Sequence, residues 1–193
     1  MPATSAVAIG SVVLNFQDCV TATLRYAFTD YNIYRSGTIP LTRLTPNVTC
    51  SDSENTPANA DFGFGYSGNW FDPATSGQGF VFEVNPTAAV VFFAWFTYLP
   101  KEPPYGEGQL WYTGQGPFFV GPRTLPVTLY ETLGNSFDSG DPHLAFNGPV
   151  GTATVTFLSC DTAQLAFTLN SSITRAGTIN LSRVGPTPAE CVR

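Results

Sequence analysis

One stretch of this sequence is written twice. Residues 10–50 read GSVVLNFQDCVTATLRYAFTDYNIYRSGTIPLTRLTPNVTC, and residues 151–191 read GTATVTFLSCDTAQLAFTLNSSITRAGTINLSRVGPTPAEC. Each copy opens on Gly, places Phe six residues on and Cys nine on, and closes with a second Cys 31 residues later. Between the cysteines both carry a Thr-Ala pair, a Leu, and then R-x-G-T-I-x-L-x-R. Such a repeat constrains the fold more than any single motif, because both copies must form one supersecondary unit. The first copy reads as three strands, over 11–16, 23–28 and 37–44, with Leu24, Tyr26 and Phe28 alternating on the second. A hairpin between the second and third strands returns the chain to its start. That return brings Cys19 near Cys50, and in the other copy Cys160 near Cys191.

Four cysteines allow three pairings, and the equal spacing in both copies favours the within-copy bridges Cys19–Cys50 and Cys160–Cys191. Each bridge closes a loop long enough to contribute about 3–4 kcal/mol in the chain-entropy model, and such bridges belong to an oxidising compartment. A four-thiol zinc site would need closely spaced cysteine pairs, which this sequence lacks.

Between the copies lies a polar stretch, 51–61, that reads as a linker, and then a unique part, 62–150. Four strands are expected there, near 79–84, 88–98, 108–114 and 124–132, joined by Gly- and Pro-rich turns. The continuous apolar run Ala88–Phe96 suits a buried strand. No segment has a helical period. The fold expected is all-β and antiparallel, a β-sandwich or an up-and-down β-barrel of about ten strands. The organisation expected is a first β unit (1–50), a linker, and a module (62–191) whose last part is the second copy.

Charge excludes two functional classes. The chain of 193 residues has a formal net charge of −6, and its eight Lys and Arg are scattered, so no basic stripe meets a nucleic-acid backbone. No apolar run approaches a membrane-spanning length, and insertion into a membrane is not expected. Only 11% of residues are charged while 14% are aromatic, a composition opposite to that of disordered chains. Met1–Gly10 has neither a basic start nor a long apolar core, so export is expected of a mature form or a fragment.

Catalytic and metal sites find little support. His143 is the single histidine and sits in a turn-like stretch. No G-x-S-x-G elbow exists, and the cysteines are committed to bridges. Asp72, Glu83 and Glu131 show no spacing that pairs two carboxylates across a cleft. Asp72 precedes Pro73 and reads first as a turn former. Asp138 and Asp141 are weak calcium candidates, because their stretch lacks the remaining ligands of a calcium loop. No catalytic residue, cofactor or metal is therefore expected.

Two leads remain. Trp70, Trp95 and Trp111 are aromatic candidates for stacking on a sugar; Trp95 reads as core, and Trp70, with Asp72 beside it, as the exposed platform. The first copy also carries Tyr26, Tyr31 and Tyr34 where the second is less aromatic, which marks an interface face.

The run Gly68-Asn69-Trp70-Phe71-Asp72-Pro73-Ala74-Thr75-Ser76-Gly77-Gln78-Gly79 resembles the G-x-W-[FYW]-[DN]-P-x-x-S-G-x-G motif of secreted bacterial β modules, mostly proteobacterial. Trp95-Phe96-Thr97-Tyr98, the Trp111-Tyr112 element between Gly108 and Gly114, and the unit Gly151–Arg183 extend the resemblance over 62–191. It implies exported modules, often in tandem, and supplies no activity. The front part of the module occurs once and the back part twice. The spare back unit is expected either to pack within the chain or to pair with another molecule. The function expected is an extracellular or cell-surface structural subunit that self-associates, with strand complementation into an oligomer or filament. The alternative is a secreted glycan- or ligand-binding module using exposed aromatics.

Overall fold

The structure, a computed structural model, describes residues 7–30, 33–45, 50, 63–75, 77–101, 108–119, 121–133, 145–188 and 191. The chain divides into two compact units, Ala3–Ala60 and Asp61–Arg193. The fold is all-β, and both expected disulfides are formed, with Cα–Cα separations of 5.6 Å for Cys19–Cys50 and 5.9 Å for Cys160–Cys191.

The first unit is a three-stranded antiparallel sheet of β1 (Gly10–Phe16), β2 (Thr21–Asp30) and β3 (Ile33–Thr42), in that order. The second unit begins with a 3₁₀ turn at Phe64–Tyr66. Eight strands follow: β4 (Gly68–Phe71), β5 (Gly79–Asn85), β6 (Val90–Tyr98), β7 (Gln109–Pro117), β8 (Thr124–Leu133), β9 (Ala145–Phe157), β10 (Thr162–Asn170) and β11 (Thr174–Arg183). Each pairs antiparallel with the next, and β11 returns to pair with β4, so the sheet is a closed up-and-down barrel.

Period-two alternation fills the barrel. Phe80, Phe82 and Val84 of β5, Val91, Phe93 and Trp95 of β6, and Leu125, Val127 and Leu129 of β8 point inward and are buried. The second repeat copy supplies Ala153, Val155 and Phe157 from β9, Ala163, Leu165 and Leu169 from β10, and Leu181 from β11. Eight strands leave an interior that side chains alone fill. The apolar run Ala88–Phe96 is not buried on both faces as its composition suggests: Phe92 and Ala94 are half-buried and Phe96 is exposed. The strand count is eleven because β4, four residues around Trp70 between Gly68 and Pro73, is too short to show a period in the sequence.

Closure is the weak point of this design. Only two register pairs, Ser182 with Phe71 and Arg183 with Trp70, join β11 to β4. Arg183 reinforces that seam. Its Nε donates to Cys160 O at 2.7 Å, Nη1 to Ser67 O at 2.8 Å and Nη2 to Gly65 O at 2.6 Å. The guanidinium lies 4.5 Å from the centre of the Trp70 ring, a cation–π distance. Trp70 in turn donates Nε1–H to Tyr66 O at 3.1 Å, and the Tyr66 ring stacks on Phe157 at 4.4 Å. Burial pushes the Arg183 pKa down, and nearby Asp161 opposes that shift.

Arg183→Gln leaves the Ser67 and Gly65 carbonyls without their donors. It is expected to lower the unfolding free energy of the barrel by about 3 kcal/mol, read as a lower urea midpoint by tryptophan fluorescence. A change under about 0.5 kcal/mol would show that strand pairing alone closes the barrel.

Candidate functional site

The first unit has the register of the barrel's last three strands. In β1–β2, Val12 opposes Tyr26, Leu14 opposes Leu24 and Phe16 opposes Ala22; in β9–β10, Ala153 opposes Phe167, Val155 opposes Leu165 and Phe157 opposes Ala163. Across the next ladder, Tyr26 meets Gly37 and Leu24 meets Ile39, as Phe167 meets Gly177 and Leu165 meets Ile179. The turn chemistry corresponds as well. Asp18 Oδ1 accepts from the Val20 and Thr21 amides at 2.7 Å, and Ser159 Oγ accepts from the Asp161 and Thr162 amides at 3.1 and 3.0 Å.

Sheet curvature is also shared. A Cβ on Gly10 would meet Ala27 O at 2.2 Å, and a Cβ on Gly151 would meet Thr168 O at 2.1 Å. Neither site admits a side chain, so both sheets bend toward the neighbouring strand at the same point. The first unit therefore has the shape of a barrel segment.

What differs is cover. Ala153, Val155 and Phe157 are 5%, 0% and 1% exposed, whereas their counterparts Val12, Leu14 and Phe16 are 58%, 47% and 72% exposed. All seven residues of β1 are exposed. Leu41 is exposed where Leu181 is buried. Arg43 donates Nε–H to Cys19 O at 2.9 Å, as Arg183 does to Cys160 O. Arg43 is exposed, and its two Nη groups meet no partner among the described residues. This apolar face with its half-used arginine is the candidate site.

The tyrosines expected at an interface separate. Tyr34 is 80% exposed, but Tyr26 is buried, its ring over Gly37 and 5.4 Å from Phe28. Tyr31 lies outside the described residues, as do Asp138, Asp141 and His143. Among the described residues, no cluster of three or more His, Cys, Asp or Glu is placed to hold a metal.

Trp70 is a correction. It is 1% exposed, packed on Phe82 and Phe157 beneath Arg183, and is no platform. The Gly-rich flank that suggested exposure instead lets the short strand β4 reach the seam. Asp72 is a turn former: its Oδ1 accepts from the Ala74 amide at 2.9 Å, and its carbonyl accepts from the Thr75 amide at 3.0 Å. Trp95 is buried, as expected. Trp111 is the exposed tryptophan, at 48%, and stacks on exposed Phe96 with ring centres 5.8 Å apart. The signal for this was parity. Trp111 precedes inward Tyr112, so it points outward.

At one end of the barrel a cavity of 1170 Å³ opens among Asp72, Trp95, Tyr98, Gln109, Phe167 and Ile173. Inside the wall, Tyr112 faces Glu131 across the β7–β8 ladder, and its hydroxyl lies 3.2 Å from Ser171 Oγ. Glu131 Oε2 accepts from the Ser172 amide at 3.3 Å, while the buried Oε1 has no partner among the described residues. Burial pushes the Tyr112 pKa above its ordinary 10.0; the Ser171 hydrogen bond opposes this and the Glu131 charge adds to it.

No family model matches this chain, and no curated protein or solved structure matches it either. Among the described residues, no helix is long and apolar enough to cross a membrane.

Two outcomes follow from these environments. Trp111→Ala is expected to change barrel stability by less than about 0.5 kcal/mol, and Trp70→Ala to cost about 3–5 kcal/mol, both by urea titration. Because the folded state holds the Tyr112 proton more tightly than the unfolded chain, its contribution is intact below pH 10.0 and lost as pH rises further. Stability measured between pH 9 and 11.5 is expected to fall less steeply in Tyr112→Phe than in the parent.

Proposed function

We propose that this protein is a non-catalytic, extracellular structural subunit of a bacterial surface, and that its first β unit is the connector that joins it to other molecules. One observation carries the reading. Residues that form barrel core in the second copy, at Val155 and Phe157, have solvent-exposed counterparts in the first, at Leu14 and Phe16. Exposed apolar faces of this kind mark interaction surfaces, and an open sheet edge favours strand addition. The two disulfides are compatible with an oxidising exterior. The outward positions Thr152, Thr154 and Thr156 of β9 and Gln164 and Thr168 of β10 do not form the apolar band that a membrane barrel presents to lipid. The resemblance of 62–191 to exported β modules agrees with the same location.

Light scattering over a concentration series, with negative-stain microscopy, tests the reading on oxidised protein with and without residues 1–50. Concentration-dependent association that is lost on the deletion, and weakened by Leu14→Asp, is the expected result. A monomer at every concentration in both forms would remove self-assembly from the reading.

A second reading rests on the Phe96–Trp111 pair, which lies on the outer wall near exposed Tyr98. Flat exposed aromatics with polar neighbours suit the apolar face of a sugar ring. Quenching of tryptophan fluorescence by soluble oligosaccharides, abolished in Trp111→Ala, is its expected signature.

A further inference from the structure

We propose that the open face of β1–β3 takes a five-stranded half-barrel of the β4–β8 kind, carried by a second polypeptide, and that Arg43 latches it. This rests on the connector reading above and names the connector's partner.

Shape is the first argument. β1–β3 has the register of β9–β11 and the same bend at Gly10 as at Gly151. In the barrel, β9 presents Ala153 to Val127 and Val155 to Leu125 of β8. Val12 and Leu14 occupy those positions in β1 and offer apolar side chains of equal or larger size. The complement of such a segment is the surface that β4–β8 encloses.

Polar complementarity is the second. Arg183 spends Nε on Cys160 O and both Nη groups on the half-barrel, at Ser67 O and Gly65 O, with its face on Trp70. Arg43 spends Nε in the same way, on Cys19 O, and its Nη groups meet no partner among the described residues. A cationic fork with vacant donors fits a pair of carbonyls beside a tryptophan face. A second β1–β3 sheet has no counterpart of the Gly65–Trp70 segment to receive it.

Counting supplies the third. The chain has one β4–β8 half and two three-stranded units, and its own half is already filled by β9–β11. Pairing copies of this chain through that half leaves one three-stranded unit open per chain, whichever unit is used. Self-exchange therefore gains no net interface, and a half-barrel from a different chain does.

The test joins a second copy of residues 61–144 by a flexible linker ahead of residue 7 of the full chain, so that the natural barrel serves as internal control. The readout is amide hydrogen exchange by mass spectrometry on oxidised protein. Residues 10–44 are expected to gain protection matching that of 151–183, in a monomer. Arg43→Gln in the extended chain is expected to lower protection over 10–44 about tenfold or more without changing 151–183. Two results would overturn the proposal: the added segment stays exchange-labile beside an intact natural barrel, or the extended chain aggregates where the parent is soluble. The scattering series above fails or succeeds separately, since it uses the parent chain alone.

Discussion

The arginine that ends the last strand holds this barrel shut. Seven of its eight seams are ladders between strands adjacent in the chain, and the eighth has two register pairs. Arg183 has a side chain 3% exposed, and burying a guanidinium is costly unless its donors are satisfied. Here they are satisfied by three carbonyls and an indole face, drawn from the disulfide turn, the 3₁₀ turn and β4. The bridge at Cys160, the plug at Tyr66 and the seam at Trp70 are therefore one connected structure. Loosening any of them exposes the other two.

Much of this was legible in the sequence. Equal cysteine spacing in two copies identified both bridges, and alternation in 79–84 and 124–132 located β5 and β8. Other features were hidden for physical reasons. Whether an aromatic points in or out depends on strand parity, and a one-residue error reverses it. Trp70, expected exposed from its Gly-rich flank, is buried, and Trp111, also a stacking candidate, is the exposed tryptophan. Arg183 looked like the last letter of a repeat motif, because its partners Gly65 and Ser67 lie more than a hundred residues away. The exposure of β1 was not legible at all. Its residues are at least as apolar as those of β9, and only the absence of a facing wall distinguishes them.

Glu131 illustrates a different kind of limit. Its position on β8 is inward by parity, yet no sequence rule predicts a carboxylate in an aromatic core. Among the described residues it has one amide donor, Ser172, at Oε2 and none at Oε1, fewer than its two oxygens can accept. The polar interior at this end contrasts with the other end, where Tyr66 stacks on Phe157 and Arg183 lies over Trp70. The two ends of the barrel are chemically distinct.

The up-and-down order has a kinetic consequence. Seven ladders close short loops and form as successive hairpins, whereas the β4–β11 seam must gather the two ends of a long segment and forms late. Before β9–β11 are added, β4 and β8 are open edges around an unfilled trough. The first three-stranded unit precedes that trough in the chain and is synthesised before β9–β11. The register it shares with β9–β11 gives the growing chain two segments of one pattern, and the one that completes the barrel is made last.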